Sequence, residues 1–438
     1  MMGYHPPMGR FMGTNPSHIP GGRFSDLSFS RLFNRELLKY LGPGILVTVG
    51  FIDPGNWATN IAAGSEFNYS LLWVITLSTL MLILLQHMAA HLGIVTGECL
   101  AEACRRWFPG KLNVWLGGTI VVACMATALA EFLGAAYGCT ILFGWPLWLS
   151  GIISGSLVLA LVAVQKYEQI EHLIIGFVSI IGFCYLLELW MVKPDWALAA
   201  RCTVVPELSS KTIFIAMGML GAVVMPHNLY LHSEVIQKRN WVATDPRRKR
   251  QLLRYEFLDT LLAMGAGWLI NCAMIVVAAA VFFRNGIVVT DILQAAQTLR
   301  PLAGDMARLL FGIALLCAGL SSSITACLAG GTVFTGFLGK EIDPQKVWFR
   351  AGVLLTALPA ILVLVLTRDV FRTLIWSQVA LSMQLPFTVI PLILLTRSRK
   401  VMGEYANSGL ENLLLYAVGG IILLLNGLLI LDFFGVKF

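Results

Sequence analysis

The chain has 438 residues, of which 57% are hydrophobic and only 13% charged, and its mean hydropathy is +0.77. That balance excludes a soluble globular enzyme and calls for lipid as the solvent. The net charge of +7 would suit nucleic acid, but the basic residues fall where membrane topology needs them. Nine cysteines lie mostly inside apolar runs with no C-x-x-C pair, which argues against a zinc knuckle or a disulfide framework and for small packing residues.

Residues 1–40, rich in Gly, Pro, Ser and Arg, are expected to form a disordered cytoplasmic tail. Apolar runs long enough to span a bilayer as helices follow at 42–66, 70–96, 113–143, 147–165, 170–192, 212–237, 257–283, 302–334, 349–366, 370–396 and 413–435. The eighth is long enough to hold a bend, expected near Gly330-Gly331. Of the 31 Lys and Arg, 22 lie in the tail or on the even-to-odd loop side, which places the N-terminus in the cytoplasm and the C-terminus outside. The densest group, Lys238 to Arg254 between spans 6 and 7, is then held by anionic lipid, and no nucleic-acid partner is expected. Eleven spans accommodate two five-helix repeats of opposite topology (about 41–193 and 211–396) plus an extra helix at 413–435, within one transporter domain at 41–436. In such proteins the first helix of each half is interrupted near the bilayer midplane.

The sequence has two such interruptions. Span 1 carries Gly50-Phe51-Ile52-Asp53-Pro54-Gly55-Asn56-Trp57 in mid-run. Pro54 removes an amide donor and disfavours helix at Asp53, which frees carbonyls such as that of Gly50. Span 6 carries Ala222-Val223-Val224-Met225-Pro226-His227-Asn228, again with proline at its centre. A pair of ordinary proline kinks would not explain a carboxylate and an amide at one break, and a carboxylate at membrane depth needs a partner. Asp53, the Asn56 amide oxygen and freed carbonyls are hard ligands, while Met225 offers a soft thioether. That mixture suits Mn²⁺ or Fe²⁺ better than Mg²⁺ or Ca²⁺. His227 and His232, five residues apart, suit proton handling better than ligation.

The segments D-P-G-N-W-A-T-N and M-P-H-N-L-Y-L-H-S resemble the signatures of the Nramp family of proton-linked divalent metal transporters. The similarity continues through G-L-S-S-S at 319–323 and S-Q-V at 377–379. The resemblance implies an all-α membrane protein of LeuT-like fold. It also implies metal ligation by Asp53, Asn56, Met225 and the Ala222 carbonyl, joined by Gln378 and the Gly50 carbonyl. His232 and Glu131 are implied in a proton route, and Asn271 in gating. Span 3 departs from the family pattern A-T-D-x-A-E, since Ala128 stands where the aspartate is usual; Val121 and Ala351 also replace ionisable groups. Metal binding is untouched by these changes, whereas proton coupling is expected to be weakened, rerouted or replaced.

The expected function is therefore import of a divalent transition metal across a plasma membrane, such as a bacterial inner membrane, by alternating access. Protons are the expected co-substrate, with no cofactor and no obligate protein partner. A metal uniporter of the same family and a cation-coupled amino-acid symporter of the same fold are the alternatives. The symporter fits less well because Asp53 would repel a substrate carboxylate. His87 and His91 have the spacing of a protease zinc helix but lack its glutamate, so no enzyme is expected; they read as packing or pore-lining residues. Glu188 and Asp259 read as interfacial or helix-pairing residues.

Overall fold

The computed structural model describes residues 42–433 apart from 165, 166, 210, 240, 242–244 and 368; the expected tail at 1–40 lies outside the described residues. Every regular element among the described residues is helical. Ten helical segments are long and apolar enough to cross a membrane. The eleventh expected crossing, span 1, is broken into α1 (Pro43–Thr48), a 3₁₀ turn at Val49–Phe51, and α2 (Pro54–Phe67).

Span 2 is α3 (Leu72–Thr96), span 3 is α5 (Gly110–Phe143), and the short α4 (Leu100–Trp107) lies between them. Spans 4 and 5 are α6 (Leu147–Val164) and α7 (Tyr167–Met191), followed by α8 (Trp196–Val204). The second half opens with span 6, split into α9 (Ile213–Val223) and α10 (Pro226–Lys238), and continues with α11 (Pro246–Val281) as span 7. The element α12 (Ile292–Leu338) contains span 8, and α13 (Val347–Leu366) is span 9. Span 10 is α14 (Val370–Gln384) with α15 (Pro386–Arg397); after α16 (Arg399–Met402), span 11 is α17 (Gly409–Phe433).

The expected bend at Gly330-Gly331 is absent: α12 is helical there and breaks at Gly304, whose φ of 91° is open to glycine. Gly330 and Gly331 serve close packing instead, since side chains there would run into Thr356 and Phe349 of span 9. Gly138 and Gly319 do the same between spans 3 and 8. A Cβ on Gly138 would lie 2.6 Å from the Leu316 backbone, and one on Gly319 would meet the Ala135 backbone. Small residues let membrane helices approach backbone to backbone, and they bind spans 3, 8 and 9 into one tight unit. Spans 1 and 6 also pack on spans 7 and 2, α2 against α11 and α10 against α3, while α10 touches α12 of span 8 as well.

The outer end of α1 is fastened by charge. Gly42 N and Gly44 N donate to Asp259 of span 7 at 3.1 and 2.6 Å, so a carboxylate caps the helix N-terminus. The ion pair between Arg239 and Glu171 packs on Gly42, which has φ 149°. Asp259 is thus a buried cap that joins spans 1 and 7, the helix-pairing one of its two expected roles, and Glu188 is likewise buried.

Candidate metal centre

At the first break, Pro54 has no N–H for the Gly50 carbonyl four residues earlier. Its neighbours' carbonyls are claimed: Val49 O by Ser322 Oγ (3.1 Å), Phe51 O by Asn56 Nδ2 (2.9 Å) and Asn271 Nδ2 (2.8 Å), and Ile52 O by Trp57 Nε1 (3.2 Å). Trp57 is wedged edge-on between Tyr185 and Phe311 and so anchors α2. Asp53 is extended and caps α2, its carboxylate accepting from Gly55 N at 3.1 Å, Asn56 N at 2.9 Å and Asn56 Nδ2 at 2.7 Å.

At the second break, Pro226 deprives the Ala222 carbonyl of its helical donor, and Asn56 Nδ2 reaches across from span 1 to fill the place at 3.1 Å. The two breaks therefore touch. Met225 is extended and fully buried, with the Asn228 Nδ2 donor 3.9 Å from its sulfur. Asn228 Nδ2 also lies 3.5 Å from Val47 O and occupies the space that a side chain on Gly50 would need. Span 10 supplies Gln378, whose amide fills the bare face of Gly55 beside Asp53. Glu131 of span 3 lies against Asp53 and Ser322, and one turn on, Gly134 leaves room for the Pro54 ring.

Asp53, Asn56, Ala222, Met225, Gln378 and Glu131 all have 0% exposure, so the site is occluded on both sides. Within it Asn56 Oδ1, Gln378 Oε1, Asn228 Oδ1 and both Glu131 oxygens lack a hydrogen-bond partner among the described residues. Buried oxygens are seldom left unpaired, and so many around one carboxylate mark a place for a cation. The Asn56 NH₂ group sits among Asp53, Phe51 O and Ala222 O as a weak positive stand-in, and turning the amide over would present Oδ1 instead. No three His, Cys, Asp or Glu side chains converge on a point among the described residues, so an ion held here would also meet amide, carbonyl and thioether groups.

The other candidates lie apart from this cluster. His227 Nδ1 faces Thr127 Oγ1 at 3.3 Å. His232 sits two turns beyond Met225, with Nδ1 3.0 Å from Gln86 Oε1 and Nε2 unbonded among the described residues. Asn271 bridges the Phe51 carbonyl and Asn60, whose Nδ2 donates to its Oδ1 at 2.7 Å. It braces the break from span 7. Ala128 is fully buried, and α5 carries no Asp or Glu from 110 to 130. The residue that sequence reasoning missed is Asn228. Its signal was internal symmetry, since Asn56 and Asn228 each follow a break proline by two residues.

Gly50→Val would expel the Asn228 amide and push span 1 away from span 6. Overpacking a tight core costs about 1–3 kcal/mol, and here it falls on the site itself. The variant is expected to insert and to lose metal binding by at least about tenfold, as isothermal titration of purified protein would show.

Two broken helices meeting at a buried carboxylate, each opening a five-span half of an all-helical bundle, define a multi-pass membrane protein of the inverted-repeat, LeuT-like class. The chain belongs to the Nramp family, whose profile, described as natural resistance-associated macrophage protein-like, matches residues 44–432. It is 43% identical over 399 residues to the divalent metal cation transporter MntH of Caldanaerobacter subterraneus, covering 90% of this chain and 93% of that one. Among solved structures it is similar to the Eremococcus coleocola manganese transporter, at 29% identity and a TM-score of 0.77 over 93% of this chain and 87% of the other. The nucleobase-cation-symport-1 family transporter Mhp1 shares the fold, at 16% identity and a TM-score of 0.60 over 85% and 82% of the two chains.

Proposed function

We propose that this protein imports divalent transition-metal ions, Mn²⁺ or Fe²⁺ in class, across a cell membrane by alternating access. The observation that carries the reading is the group of unpaired buried oxygens around Asp53 where spans 1 and 6 break. Asp53, Asn56 Oδ1, the Ala222 carbonyl and Met225 Sδ form the ligand set, with Gln378 and the Gly50 carbonyl available as the helices move. Hard oxygens with one thioether favour transition metals over Mg²⁺ and Ca²⁺. The similar proteins named above as a divalent metal cation transporter and a manganese transporter support the same class. The charge distribution supports a cytoplasmic N-terminus and an external C-terminus.

Two carboxyl groups side by side and out of water need a shared proton or a cation between them. Glu131 beside Asp53 therefore supports exchange of a proton against the metal, and makes the transport proton-linked. Uniport of the metal is the second reading, favoured by the absence of any carboxylate on α5 between 110 and 130. An amino-acid symporter is disfavoured because Asp53 stands where a substrate carboxylate would bind.

The test is the full chain in liposomes, with Mn²⁺ influx and lumenal pH recorded together against excess Mg²⁺ or Ca²⁺. Metal influx that resists competition and acidifies the lumen is expected; influx without acidification would establish uniport, and no influx would sink the reading. Met225→Ala is expected to let Mg²⁺ or Ca²⁺ compete about tenfold better by removing the soft ligand. Unchanged competition would reduce the thioether to packing.

A further inference from the structure

A group of titratable side chains gathers between spans 2 and 7, in the halves of these spans nearer the proposed cytoplasmic face. His87 Nδ1 of span 2 and Glu256 Oε2 of span 7 are 2.5 Å apart, and Glu256 Oε1 accepts from Thr260 Oγ1 at 2.8 Å. One turn further, His91 stacks on His87 with ring centroids 5.8 Å apart. His91 is 7% exposed, yet neither of its ring nitrogens has a hydrogen-bond partner among the described residues. The groups facing this cluster are His232 from span 6, Lys249 from the start of span 7 and Glu411 from the start of span 11. Lys249 is held by Val95 O at 3.2 Å and by the Tyr405 ring, and Glu411 is partly exposed.

A buried histidine with two unpaired nitrogens is costly, and an apolar residue would avoid the cost. Metal binding does not account for it, because His87 and Glu256 satisfy each other and no three ligand groups converge among the described residues. A mobile proton does account for it. Imidazole titrates near neutral pH and can take a proton at one nitrogen while the other is bonded.

We propose that His87, Glu256 and His91 form a proton-binding station between the metal centre and the cytoplasm, in place of a carboxylate path along span 3. This rests on the proton-linked reading above. A proton arriving from the His232 side binds His87 Nε2, and the imidazolium is held by the Glu256 carboxylate at Nδ1. The His87 Nε2–H bond then breaks as one forms to a water molecule, which gives a proton to a ring nitrogen of His91, since the nitrogens of stacked rings do not point at each other, and His91 gives the proton to cytoplasmic water past Lys249. The lysine's charge discourages the proton from lingering and favours release.

The experiment compares the full wild-type chain with His87→Gln, Glu256→Gln, Glu256→Asp and His91→Phe in liposomes, reading protons and Mn²⁺ taken up by each. The ratio of protons to Mn²⁺ is expected to fall about tenfold or more in His87→Gln, Glu256→Gln and His91→Phe, and to recover in Glu256→Asp. His91→Phe preserves ring volume and carries the test if Glu256→Gln fails to insert. An unchanged ratio in His87→Gln and His91→Phe overturns the station while leaving proton-linked transport intact. Wild-type Mn²⁺ uptake without protons also overturns it and leaves metal transport standing, whereas absence of wild-type Mn²⁺ uptake overturns the function on which it rests.

Discussion

Asp53→Asn is expected to fold and insert but to lose saturable Mn²⁺ uptake. Asparagine is as good an N-cap as aspartate, so the acceptor for Gly55 N and Asn56 N remains. What disappears is the negative charge, the strongest attraction a dehydrated divalent ion meets at 0% exposure. In a low-dielectric site that charge is worth several kcal/mol. A fall of at least about 100-fold in uptake at sub-saturating metal, about 3 kcal/mol, is a conservative expectation. Asp53→Ala should do the same and also lose the cap, at about 1 kcal/mol. Initial rates of Mn²⁺ influx, normalised to folded protein by size-exclusion chromatography, decide the matter. Saturable influx in Asp53→Asn would mean that the carbonyls and Met225 bind the ion unaided.

The second large effect concerns the fastening of α1. Asp259 accepts from Gly42 N and Gly44 N, and hydrogen bonds to a charged group are worth roughly 1.5–3 kcal/mol each. In the proposed alternating access, opening toward the cytoplasmic side would move α1 from its place, and Asp259 would then stabilise the closed arrangement. Asp259→Ala is expected to shift the closed-to-open ratio by about 3 kcal/mol, roughly a hundredfold. Leu46 lies inside the closed bundle at 0% exposure. A Leu46→Cys probe, with the nine native cysteines replaced, should react with an impermeant thiol reagent from the cytoplasmic side about a hundred times faster when Asp259 is also changed. Equal labelling rates would show that α1 is retained by packing and by the Arg239–Glu171 pair.

The crossings and both breaks were legible because their signals are local. A twenty-residue apolar run announces a span, and a proline beside a polar residue within it announces an interruption. Asp53 and Asn56 stand together at one break, but Ala222 joined them only through the family resemblance, and the Asn56–Ala222 contact joins residues 166 positions apart. The pairing of His87 with Glu256 spans 169 positions and follows no periodicity, so His87 read as packing or pore-lining. Asp259 read as interfacial or helix-pairing without a named partner for the same reason, since the amides it caps belong to another helix. The bend in α12 was misplaced because Gly330-Gly331 and Gly304 look alike as sequence. Packing against Thr356 and Phe349 consumes the first pair, and the left-handed backbone falls to the second. The short α4 does carry an apolar face, Leu100, Ala101, Ala103 and Cys104 being buried, but it is too short to read as a span.

The glycine contacts that join spans 3, 8 and 9 have a mechanical consequence. Helices in backbone contact have little side-chain padding to deform, so they resist sliding and turn only as one piece. In the proposed transport cycle spans 3, 8 and 9 would serve as the stator, and spans 1 and 6 as the rotor that turns against it. Glu131 rides on the stator while Asp53 rides on the rotor. In that cycle each stroke would change the distance between the two carboxyl groups, so that stroke and proton affinity would share a single hinge.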